Sequence, residues 1–123
     1  MGIAAMHDAR AYEGHERRRN QILVTVNREY HCRDGWCVAV RDRQSRMFIR
    51  NHSAIGRKLT GAMRLGLEGS VQEVSPPDSL VVGEKLCFSA CDGDLEHDVI
   101  TSALVAIERP AKSVVALYDE LRA

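Results

Sequence analysis

The chain has 123 residues, 45% hydrophobic and 28% charged, with a formal net charge of zero; this suits a single domain and excludes a disordered chain, whose low hydrophobicity cannot offset the entropy of ordering. No apolar run approaches the roughly 18 residues that span a bilayer, and the first residues lack a basic segment followed by a long apolar one, so a cytoplasmic location without membrane insertion is expected. The zero conceals a split: residues 1–64 carry 13 Lys and Arg against 6 Asp and Glu, residues 65–123 carry 4 against 11. Either the halves meet within the fold or the basic half attracts an anion such as a nucleotide or nucleic acid.

Residues 1–15 show no sustained period and read as a flexible leader ahead of one domain over 16–123. From Gln21 the pattern has period 2, with Ile22, Val24 and Val26 against Leu23, Thr25 and Asn27, which predicts a strand. In CRDGWC, Asp34-Gly35 supplies the positive backbone dihedrals of a tight turn, so a hairpin follows, with Trp36, Val38 and Val40 on one face of its second arm. RMFIRN is a further strand-like run, and NHSAIGRK is a loop in which Asn51 and Ser53 can bond the local backbone. LTGAMRLGL alternates as a strand bent at Gly61 and Gly66. Pro76-Pro77 and Gly83 make SVQEVSPPDSLVVGE a connection between strands. EKLCFSAC and VITSALVAIE are two more strands around the acidic turn DGDLEHD. Pro110 opens a helix in which Val114, Leu117, Tyr118 and Leu121 recur at helical spacing. The sum is a mainly-β fold: a small six-stranded antiparallel β-barrel with a C-terminal α-helix.

Cys32, Cys37, Cys87 and Cys91 are too few for a disulfide scaffold in a chain of this size, so reduced thiols are expected. Four thiolates can hold tetrahedral zinc, but C-x4-C and C-x3-C lack the C-x2-C knuckle, and no metal site is assigned. The histidines at 7, 15, 31, 52 and 97 are dispersed, with no HExxH helix, nucleophile elbow or phosphate-binding glycine loop. Neither an enzyme nor a cofactor is expected.

ERRRNQILVTV at the first strand, NHSAIG in the pattern [D/N]-x-S-x-x-G, LTGAMRLGL, and LVVGEKLCF ahead of ALVAIERP follow one another over residues 15–110. In this order they resemble the PilZ domain, the bacterial cyclic di-GMP receptor module. The resemblance implies a phosphate clamp at Arg17, Arg18 and Arg19, and guanine contacts from Asn51, Ser53 and Gly56. Guanidinium forks suit phosphate oxygens and the guanine Hoogsteen edge. The family spaces its arginines R-x-x-x-R, whereas Gln21, Ile22 and Leu23 stand four places after this cluster. Arg46 and Arg50 do have that spacing and, on a strand, would share a face and hold one anion. Two other loop registers, through Gly56 and Lys58 or Asp42 and Ser45, match less completely.

The resemblance thus implies a cyclic di-GMP binding module of bacterial signalling, whose arginine leader closes on the bound anion and changes the surface offered to a protein partner. A degenerate relative would act through protein contacts alone. Two alternatives stand beside it. One is a small barrel binding nucleic acid, for which an aromatic content of 5% is thin. The other is a homo-oligomeric interaction module, in its simplest form a homodimer, joining basic and acidic halves.

Overall fold

The computed structural model describes residues 19–90 and 98–121; the leader, Arg17, Arg18 and residues 91–97 lie outside them. The described residues form seven antiparallel strands: β1 (Asn20–Thr25), β2 (Arg28–Arg33), β3 (Trp36–Asp42), β4 (Lys58–Leu65), β5 (Val71–Ser75), β6 (Lys85–Ser89) and β7 (Val99–Glu108). Their order is β3-β2-β1-β7-β6-β4-β5, and a further pairing of β3 with β4 closes six of them into a ring. The mainly-β class is as expected, but there is one more strand than the pattern suggested.

Ring closure depends on the β2–β3 turn. Asp34 and Gly35 have φ of +52° and +86°, the left-handed pair that a two-residue hairpin loop needs. The turn sets Arg33 opposite Trp36 and Cys32 opposite Cys37. The Leu59 N–H then donates to the Gly35 carbonyl at 2.8 Å and the Cys37 N–H to the Arg57 carbonyl at 2.9 Å, stitching β3 to the start of β4 at Trp36↔Lys58.

Beyond the turn the pairing moves on to His31↔Ala39, which leaves Val38 as an extra residue on β3. Such a bulge reverses which side chains face inward. Cys37 and Val40 therefore join the core while Trp36 stays 36% exposed, so the expected common face of Trp36, Val38 and Val40 is not formed. The core gathers Leu23, Tyr30, Cys32, Leu59, Phe88 and Leu104, with Tyr30 stacked on Phe88 at 5.3 Å.

Three other expectations change. RMFIRN makes only an isolated bridge, Arg41↔Phe48, because Arg46 takes a φ of +66° that breaks an extended run. The supposed connection after Ser70 contains β5, which pairs with β4 before Pro76 stops the ladder. The closing helix is two single turns, α1 (Lys112–Val115) and α2 (Tyr118–Leu121). They meet where the Leu117 N–H bonds Val114 O, an i to i+3 contact that tightens the chain out of α geometry. No helix among the described residues is long and apolar enough to cross a membrane.

The bend at Gly61 is present: pairing with β6 shifts between Leu59 and Gly61, and φ is +152°. A Cβ there would lie 2.5 Å from the Ser75 carbonyl oxygen, whereas one at Gly69 would meet nothing within 4 Å. Gly61→Ala is expected to cost about 2–4 kcal/mol in urea unfolding, and Gly69→Ala about 1 kcal/mol.

Candidate functional site

At the turn end of the ring the chain brings together two segments about 35 residues apart. The Asp34 N–H donates to the Arg19 carbonyl at 2.8 Å, and Arg19 Nε lies 3.2 Å from Asp34 Oδ2, both side chains exposed. From the other side, the Gly56 N–H donates to the Cys37 carbonyl at 2.8 Å. On the Gly56 side of the turn is a cavity of about 450 Å³ lined by Arg33, Asp34, Trp36, Val38, Ile55 and Gly56, a size that suits a small-molecule ligand. A neighbouring cleft of about 380 Å³ is lined by Arg19, Asn20, Arg109, Pro110, Lys112 and Val115.

Cations surround this end. Arg33 Nε donates to Asn20 Oδ1 at 3.2 Å, and its guanidinium lies 5.7 Å over the Tyr118 ring. Lys58 Nζ stands 6.0 Å from the Trp36 ring. Arg109 and Lys112 make no ion pair among the described residues. An exposed pair such as Arg19–Asp34 contributes about 0–1 kcal/mol, so Arg19 is readily exchanged onto a stronger anion.

A cavity of about 500 Å³ at the other end, lined by Asn27, Arg28, Asp42 and Arg43, is larger; Arg28 Nε is buried without a hydrogen-bond partner among the described residues, while Arg43 and Asp42 are engaged by the turns. Arg43 Nη1 donates to the carbonyls of Thr25 at 2.9 Å and Val26 at 3.1 Å, and Asp42 Oδ2 accepts from the N–H groups of Gln44 and Ser45. Those turn contacts hold the Asp42 carboxyl below its ordinary range.

The sequence candidates separate accordingly. Arg19 and Gly56 lie at the turn-end cavities; Arg17 and Arg18 lie outside the described residues. Asn51 and Ser53 are exposed, and their side chains make no hydrogen bond among the described residues. The loop is held instead by His52, whose Nδ1 accepts from the Ala54 N–H at 3.0 Å, and by the fully buried Ala54. Burial and the nearby Arg28 keep His52 below its ordinary pKa, consistent with a neutral, accepting nitrogen.

Arg46 and Arg50 do not share a strand face: Arg50 is exposed, and Arg46 Nη1 lies 2.6 Å from Glu29 Oε2. Arg46, itself exposed, is the outer member of a network on the outer face of β2 centred on the buried Glu29 and His31. Glu29 Oε1 accepts from Arg41 Nη2 at 2.8 Å and lies 3.2 Å from His31 Nε2. His31 Nδ1 in turn lies 2.7 Å from the Tyr118 hydroxyl. Neutral His31 thus donates from Nε2 to the carboxylate and accepts from Tyr118. Phe48 covers the imidazole edge-on at 5.4 Å.

Among the described residues no three His, Cys, Asp or Glu side chains gather in a metal-binding group. Compared with protein-family models, curated proteins and solved structures, the chain finds no match.

Residues that sequence reasoning missed here are Arg33, Trp36, Arg109 and Lys112. The Asp34-Gly35 turn that separates the first two was a usable signal, because a two-residue loop places its flanking residues side by side. The Glu29–His31 spacing was another, since i and i+2 share a strand face.

The network sets a pH dependence. Burial lowers the His31 pKa to about 4, against 6.5 for the free side chain. The unfolded chain takes up this proton first, so stability is lost as pH falls from about 6.5 towards 4, by on the order of 3 kcal/mol. Burial pushes Glu29 upward, but its bonds to Arg41 and Arg46 more than offset this and hold it below the usual range; protonating it extends the loss to lower pH. Urea midpoints at pH 7 and 4.5 are expected to differ strongly for the natural chain and much less for His31→Gln.

Proposed function

We propose that the chain is a binding module for a cyclic dinucleotide of the cyclic di-GMP type, acting by ligand capture and carrying out no reaction. One observation carries this reading: the Asp34–Gly35 turn bonds Arg19 on one side and the start of β4 on the other, around a cavity walled by Trp36 and Gly56. A purine stacks on the exposed face of Trp36, where base–aromatic contact is worth about 1–3 kcal/mol. Arg19 leaves Asp34 for a phosphate oxygen, and Arg33 reaches the O6/N7 edge of guanine. The freed Asp34 carboxylate accepts from guanine N1–H and N2–H. Arg109 and Lys112 supply the field for the second phosphate. The resemblance to PilZ, with its arginine leader and [D/N]-x-S-x-x-G loop, supports the same reading.

The homo-oligomer reading has one observation of its own. β5 is the free end of the strand order, and Val71 and Val74 on it are 54% and 74% exposed, a pairing edge that proteins usually cover or charge.

Calorimetry with cyclic di-GMP at two salt concentrations tests the proposal. The expected result is a Kd on the order of micromolar that weakens with salt, and weakens about tenfold further in Arg19→Ala and in Trp36→Ala. Heat with a single-stranded oligonucleotide only would assign the site to nucleic acid. Heat with neither, from a chain eluting as a dimer, would favour the interaction module.

A further inference from the structure

We propose that Cys32 and Cys37 are a redox-active pair, which a small hydroperoxide converts into a reversible cross-strand disulfide within the β2–β3 hairpin. The two-residue turn alone brings them together: once Arg33 faces Trp36, the next pair outward is Cys32↔Cys37. Residues directly opposite on antiparallel strands have Cα atoms about 4.5–5.5 Å apart, inside the span of about 4.4–6.8 Å that a disulfide bridges. Both side chains belong to the buried core and both thiols are free, with Cys32 Sγ 3.9 Å from the Tyr30 carbonyl oxygen and Cys37 Sγ 3.6 Å from that of Ala39.

The two sulfurs are not equivalent. Both are almost fully buried, but Cys37 borders the cavity beside Ile55 and Gly56, through which a peroxide would approach, and Cys32 does not. The adjacent Cys37 and burial push the Cys32 thiol well above its usual range, so Cys32 keeps its proton until the second step. The Cys37 sulfur first attacks the peroxide. The O–O bond breaks, Cys37 becomes a sulfenic acid, and the alcohol, or water from hydrogen peroxide, leaves. The Cys32 sulfur then attacks Cys37, the S–O bond breaks, water leaves and the S–S bond forms. Two thiols are oxidised and one peroxide is reduced. The bond braces the hairpin that carries Asp34 and Trp36, and its formation does not depend on what the cavity binds.

The full chain is treated with hydrogen peroxide, its remaining thiols are blocked, and a tryptic digest is weighed without reductant. Cleavage after Arg28, Arg33 and Arg41 separates EYHCR from DGWCVAVR unless a disulfide joins them. The expected result is the joined pair, lighter by two hydrogen atoms than the sum of its parts and separated by dithiothreitol. Fluorescence of Trp36, the one tryptophan, falls on oxidation and returns on reduction, and Cys87→Ser forms the same link. Both peptides recovered with blocked thiols would overturn the proposal, as would Cys37 sulfinic acid without a link, or links to Cys87 or Cys91 alone. Cys32→Ser is expected to leave Cys37 oxidised and unlinked. If that variant fails to fold, the peptide map of the natural chain decides alone.

Discussion

The two-residue turn at Asp34–Gly35 is the constraint on which the rest of the chain depends. Its left-handed residues set the register of β2 against β3. Its backbone then bonds outward in two directions, to Arg19 before β1 and to Leu59 in β4. The first contact fixes where the arginine-bearing segment enters the sheet; the second closes the ring. The cavity edge, the neighbouring cysteines and the position of Trp36 all follow from one turn geometry.

A second layer explains why β1 and β2 are buried on both faces. Leu23 and Tyr30 face the core, while Ile22, Glu29 and His31 on the other face are equally buried. The carboxylate is tolerated there because Arg41 and Arg46 neutralise it and His31 takes up a remaining lone pair; a charge removed from water needs such partners. Tyr118 completes the chain of bonds and so ties α2 to the sheet. The C-terminal segment is therefore held by a polar contact, with Tyr118 the one buried residue of its two helical turns.

Much of this was legible in the amino-acid order. Period 2 located β1, β4, β6 and β7, and Asp34-Gly35 located the hairpin, because these signals are local. β5 was hidden by its neighbours: Pro76-Pro77 and Gly83 read as a loop, yet the five residues Val71–Ser75 ahead of them find a partner in β4, a tertiary gain that propensity does not contain. The Val38 bulge was illegible for the same reason. For the site, Arg19 and Gly56, expected as ligand contacts, lie beside turn-end cavities, and the place of Arg46 differs from the expected one. Its spacing to Arg50 resembled a clamp, whereas a buried carboxylate 17 residues earlier claims it. Charge spacing along a chain cannot register a partner supplied by another strand.

The central claim is that the Asp34–Gly35 turn organises a ligand site at one end of the ring, and amide NMR during a cyclic di-GMP titration tests it most directly. The expected result is saturable shifts of the backbone amides of Arg19, Arg33 to Val38 and Ile55 to Arg57, with those of β5 and of the opposite end, Asn27, Arg28, Asp42 and Arg43, unmoved. Shifts confined to β5 or to that opposite end, or none at all at saturating ligand, would contradict the account.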